Sequence, residues 1–139
     1  MPTLLGTTGN DTLLGTSGSD GILGDAGDDT INGGGGADSA LGGAGNDYIY
    51  AVLGTDIAVG GSGNDTLDTT AWSGSYQVNL QTGTTNFTGE SYTEFEAVIS
   101  GSGNDSLLGS TTGANTLLGG AGDDTINGGG GADRALGGD

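Results

Sequence analysis

An all-β solenoid wound from two parallel sheets is the fold this chain predicts, and three observations predict it. A nine-residue phrase recurs eleven times in 139 residues. Its fourth position is always glycine, and its sixth is aspartate in ten copies. Its eighth is always Leu, Ile or Ala. A fixed short period of this kind means that each unit buries its apolar residue only by stacking on its neighbours.

The elements follow in order from the phrase, whose clearest copies are Gly24 to Asn32, Gly42 to Tyr50, Gly60 to Asp68 and Gly119 to Asn127. The second half of each copy, as in Asp29-Thr30-Ile31-Asn32, reads as a very short strand with one inward apolar side chain between polar neighbours. The glycine-rich first half must turn sharply and calls for residues that tolerate positive φ. Two repeats then make one 18-residue turn rising about 4.8 Å. One sheet places Leu13, Ile31, Ile49 and Leu67 inward, and the other Ile22, Ala40 and Ala58. In the second sheet two registers remain open: Leu41 inside with Ala40 outside, or a lateral stripe of Leu23, Leu41, Val59 and Ile57 facing out.

The repeats divide the chain into a block over residues 1–68, an inserted segment over 69–99, and a second block over 100–139, all one continuous solenoid. Residues 23–43 and 118–138 match at 19 of 21 positions, differing at Asp25/Gly120 and Ser39/Arg134. The insert carries the only Trp, both Phe and all three Glu. Its alternation at Tyr76, Val78 and Leu80, with a turn at Thr82-Gly83, predicts a hairpin or lid packing Trp72, Phe87 and Phe95 over the roll. A ligand pocket around those rings is the other reading.

Composition narrows the function. The net charge is −17 and Arg134 is the single basic side chain, so nucleic acid and anionic membranes are repelled. No segment approaches the ~20 apolar residues that cross a bilayer, and no cleavable leader is visible. Without Cys there is neither a disulfide framework nor a thiolate metal site. With no His, Cys or Lys, the usual bases and nucleophile activators are missing, and no enzyme is expected. Glu90, Glu94 and Glu96 fit an accessory cation-binding face better than a catalytic pair.

The aspartates point to an ion. Alternate repeats stack, so Asp11, Asp29, Asp47 and Asp65 line one edge and Asp20, Asp38 and Asp56 the other, with Asp105 over Asp124 and Asn115 over Asp133 in the second block. Carboxylates stacked about 5 Å apart repel unless a cation lies among them. The in-frame glycines Gly9, Gly18, Gly27, Gly36, Gly45, Gly63, Gly103, Gly122 and Gly131 leave loop carbonyls unhindered. Hard oxygens at this spacing suit Ca²⁺, whereas Zn²⁺ would want His or Cys.

Gly42-Gly43-Ala44-Gly45-Asn46-Asp47-Tyr48-Ile49-Tyr50 and Gly60-Gly61-Ser62-Gly63-Asn64-Asp65-Thr66-Leu67-Asp68 resemble the calcium-binding nonapeptide repeat of the RTX (haemolysin-type) family. The resemblance covers nearly the whole chain. It implies a right-handed parallel β-roll with several Ca²⁺ ions held between stacked turns by the aspartates and glycine-loop carbonyls. It also implies a bacterial protein exported by a type I system that folds outside the cell. Residues 51–59 lack the first two glycines and Asn115 replaces a carboxylate, so sites touching those turns are expected to be weak or empty.

Three roles fit. The first is a self-assembling extracellular building block: Gly137-Gly138-Asp139 opens a phrase that Met1 to Leu5 resembles closing, and a head-to-tail contact of that type makes a fibre. The second is a calcium-triggered folding module of a larger secreted enzyme or adhesin. The third is an ice-binding face on Thr12, Thr30 and Thr66, a row that Tyr48 interrupts.

Overall fold

The computed structural model describes residues 3–51 and 54–138. All of its regular elements are strands, most of them three residues long, as the period requires. In chain order they are β1 (Thr3–Leu5), β2 (Thr12–Leu14), β3 (Gly21–Ala26), β4 (Thr30–Asn32), β5 (Ser39–Ala44), β6 (Tyr48–Tyr50), β7 (Ile57–Ser62) and β8 (Thr66–Asp68). There follow β9 (Gln77–Asn79), β10 (Thr84–Thr85), β11 (Ser91–Thr93), β12 (Ala97–Ile99), β13 (Ser106–Leu108), β14 (Thr116–Leu118), β15 (Thr125–Asn127) and β16 (Arg134–Leu136).

Apart from β10, odd and even strands separate into opposite faces, the two-sheet solenoid that the repeat predicts. One face is a continuous seven-stranded sheet in the order β2-β4-β6-β8-β12-β14-β16. The other face is a five-stranded sheet, β1-β3-β5-β7-β11, followed by a four-stranded one, β10-β9-β13-β15. Successive rungs in the repeat blocks are parallel and in register, as in Thr12 with Thr30, Leu13 with Ile31 and Leu14 with Asn32. The molecule is a parallel β-roll.

The core is a thin double column, because each strand contributes one inward side chain. Ile31, Ile49, Leu67, Val98 and Leu117 run along the continuous sheet, with Ile22, Ala40, Ala58, Tyr92, Val78 and Leu107 opposite. The register left open by the sequence resolves in favour of Ala40, which is buried beside exposed Leu41. Leu5, Leu23, Leu41 and Ile57 stand outward on the same face.

Residues 69–99 divide into two parts. Gln77–Asn79 and Thr84–Thr85 form the antiparallel hairpin expected there. Ser91–Thr93 and Ala97–Ile99 are instead a further rung of the roll, pairing in register with β7 and with β8 and β14. The hairpin enters the interrupted face next to β13, so that face carries two more strands than the continuous one. Trp72, Tyr76 and Phe87 stack on one another with centroids 4.7–5.7 Å apart. Phe95 is apart from that stack, buried in the core cluster at the tight turn between β11 and β12.

Candidate metal centre

Each loop leads into a strand through its aspartate, and the backbone explains why glycine precedes it. In the loop 42–47, Gly43 and Gly45 take φ of 118° and 134°, a region that costs an L residue roughly 1–2 kcal/mol. Gly27, Gly36, Gly63, Gly103, Gly122 and Gly131 do likewise at the fourth position; Gly9 and Gly18 do not. Gly42 needs glycine for a different reason. A Cβ there would lie 2.5 Å from the Gly60 carbonyl oxygen and 2.8 Å from Asp47 Cγ, so a side chain would occupy the space that carboxylate and carbonyl share. Gly24, Gly60 and Gly119 repeat the arrangement with Asp29, Asp65 and Asp124.

The aspartates form continuous ladders. The amide of Asp11 donates to Oδ1 of Asp29, that of Asp29 to Asp47, and that of Asp47 to Asp65, each at 2.8 Å. On the other edge Asp20 donates to Asp38 and Asp38 to Asp56, both at 2.9 Å. Asp105 bonds Asp124, and Asn115 bonds Asp133, in the same way. All the candidate carboxylates therefore stand in columns one turn apart.

The insert supplies two column members that the nine-residue phrase does not reveal. Asp65 donates its amide to Oε2 of Glu96, which stands where the next aspartate would be. The Ser91 amide bonds the Asp56 carbonyl, which places buried Glu90 one rung above Asp56. The signal was present in the spacing: Glu90 and Glu96 each immediately precede a rung strand. Glu90 accepts from the Tyr76 and Thr85 hydroxyls at Oε2 and keeps a buried Oε1 without a partner among the described residues, so it is a buried column member rather than an exposed one.

One oxygen of each ladder carboxylate is thus satisfied, and the other often is not. Asp29, Asp38, Asp47, Asp65 and Asp124 each keep a buried Oδ2 without a hydrogen-bond partner among the described residues. Leaving a buried acceptor unmatched costs roughly 1–3 kcal/mol, and more for an ionised group. Burial pushes the Asp38 and Asp47 carboxyls upward, with repulsion from Asp20 and Asp29 adding to it. Burial, reinforced by neighbouring carboxylates, raises Asp56 and Asp65 to about 6. A bound divalent cation removes both penalties at once.

Calcium fits this donor set. Each glycine loop offers a carboxylate oxygen and backbone carbonyls, all hard ligands, with no nitrogen or sulfur donor in the chain's His or Cys inventory. Among the described residues no three acidic side chains converge on one point, so backbone oxygens must make up most of a coordination shell. Carbonyl-rich shells with few charges belong to the weaker end of calcium affinities.

Comparison with known proteins agrees. The chain matches the family model of the RTX calcium-binding nonapeptide repeat (four copies) over residues 5–40, 32–67 and 110–139, well over half its length. It belongs to that family, and is a calcium-binding β-roll. No curated protein gives a significant match to it. Repeats of this type are typical of secreted bacterial proteins.

Proposed function

We propose that this chain is a calcium-dependent structural roll of the bacterial exterior, folding as the ions bind and serving architecture rather than catalysis. The observation that carries this reading is the set of buried, unmatched Oδ2 atoms on five stacked aspartates. Without a cation they oppose burial; with one they become ligands, so folding and binding are a single event. Glycine-loop sites with Kd of roughly 10⁻⁴–10⁻³ M would be empty in a cytosol and filled in calcium-rich surroundings. Circular dichroism tests this. Strand signal should be weak in chelator and develop with added calcium; a complete signal in chelator would refute it.

The finer proposal is assembly. The edge strand β16 is exposed along its length, and β1 and β2 bear partly buried Leu4 and Leu13 at the opposite end of the roll. Unpaired edges are templates for further parallel strands, and pairing one end with the other of a second copy builds an open fibre. Electron microscopy of the purified chain in calcium should show uniform filaments. Discrete particles at high concentration would leave the second reading, a folding module within a larger type I-secreted protein.

A further inference from the structure

The loops are chemically of two kinds, and only one kind leaves its Oδ2 unmatched for a metal. In the loops 24–29, 33–38, 42–47, 60–65 and 119–124, Asp29, Asp38, Asp47, Asp65 and Asp124 each keep a buried, unmatched Oδ2. Four of their second residues are glycines with positive φ (Gly34, Gly43, Gly61 and Gly120) and the fifth is Asp25, also left-handed at 81°. In none of these loops does the second residue's amide donate to the Oδ2; Gly34 N–H goes to the Asn32 side chain instead, at 2.9 Å.

Three other loops carry a hydroxyl residue where the glycine pair stands. Thr7 donates both its amide (2.6 Å) and its Oγ1 (2.9 Å) to Oδ2 of Asp11. Thr16 repeats this on Asp20 at the same distances, so Asp20 keeps unmatched only the Oδ1 to which no preceding rung donates. Neither threonine has positive φ. The Ser100 hydroxyl donates to Oδ2 of Asp105. In a fourth loop the substitution goes further. Asn115 accepts from Ser110 N–H and Oγ at 3.3 and 3.2 Å, while its Nδ2 donates to the Gly128 carbonyl (3.0 Å) and to Oδ1 of Asp133 (3.1 Å). That carbonyl is the counterpart of the Gly42 and Gly60 carbonyls that face the carboxylates of the glycine loops.

From this we infer that the loops 6–11, 15–20, 100–105 and 109–115 are built without calcium, their hydroxyl and amide donors standing in for the ion. Calcium is then confined to the glycine loops. The inference rests on the calcium reading of those loops, and it assigns a protein-only character to the first turn of the roll. It also divides the ten in-frame aspartates by role: Asp11, Asp20 and Asp105 accept at Oδ2 from donors within their own loops.

Native mass spectrometry of the full chain at saturating calcium tests it by counting ions. The double variant Asp11→Asn, Asp20→Asn should keep the wild-type count, because Asn Oδ1 still accepts from Thr7 and Thr16. Asp29→Asn and Asp47→Asn should each lose one ion. The double variant Ser110→Gly, Asn115→Asp should gain one, because it removes the Ser110 hydroxyl together with the amide donors facing Gly128 and Asp133. An ion lost from the Asp11/Asp20 variant, or no ion gained by the Ser110→Gly, Asn115→Asp variant, overturns the inference. A wild-type chain that binds no calcium overturns instead the reading of the glycine loops.

Discussion

Replacing Gly42 by alanine probes the shared space at the heart of a glycine loop. Gly42 does not have left-handed φ, so alanine introduces no backbone strain. Its Cβ would lie 2.5 Å from the Gly60 oxygen and 2.8 Å from Asp47 Cγ, well inside contact distance. The carboxylate or the carbonyl must move by about 1 Å to reach ordinary van der Waals separation. An ion held by both would be lost. At about 10 mM calcium, a site with Kd of roughly 10⁻⁴–10⁻³ M contributes about 1.4–2.7 kcal/mol through mass action. For a chain of this size that is a fall in Tm of roughly 4–10 °C. Gly35→Ala is the matched control: the nearest atoms to its Cβ lie 3.9 Å away, and its φ is not left-handed. It should shift stability by less than about 0.5 kcal/mol. Thermal unfolding followed by circular dichroism, at several calcium concentrations, reads both. Gly42→Ala should also flatten the rise of Tm with calcium. Equal effects of the two alanines would refute the claim that the space between carboxylate and carbonyl matters.

Three further outcomes are expected. Leu67→Ala, at a wholly buried site in a core one side chain deep, should cost about 2–5 kcal/mol in denaturant unfolding with calcium, whereas exposed Leu5→Ala should cost little. Asp25→Gly should stabilise the roll by a few tenths to about 1 kcal/mol, since Asp25 holds φ of 81° where its duplicate Gly120 holds 90°; thermal melts will show the sign. In chelator, acidification should favour compaction. Asp56 and Asp65 have folded values raised to about 6 from 3.8, so their contribution is full below pH 3.8 and lost as pH rises through 6. With calcium the same protons compete with the ion, and the calcium midpoint should rise as pH falls below 6. Circular dichroism titrations in the two media should move in opposite directions.

The roll itself was legible because its period is strict: one apolar residue every nine fixed strand, face and column together. The parts that were not legible break the period. Ser91–Thr93 and Ala97–Ile99 form a rung whose connecting turn, Glu94 to Glu96, is three residues shorter than the matching Gly60 to Asp65 loop, so counting by nine passes over it. Ala40 and Leu41 were indistinguishable by pattern, since both are apolar and adjacent; in the structure Ala40 pairs in register with inward Ile22 and Ala58. The aspartate columns were readable from spacing alone, but the roles of Thr7, Thr16 and Ser100 were not. A threonine in a turn looks the same in sequence whether its hydroxyl meets solvent or a carboxylate. A further ladder was written at the fifth position, where Asn10, Asp28, Asn46 and Asn64 recur along one edge.

That fifth-position ladder runs opposite to the aspartate one. Asn46 N–H donates back to Asp28, and Asn64 N–H back to Asn46, at 2.8 and 2.9 Å, whereas Asp29 and Asp47 donate forward. The loops 24–29 and 42–47 are therefore clasped from both directions, each lending a side chain to the coil before it and another to the coil after. Losing the Asp47 carboxylate frees an amide 18 residues upstream; losing the Asn46 amide group frees one 18 residues downstream. Injury to one coil spreads both ways, and such a spring yields as a whole rather than link by link.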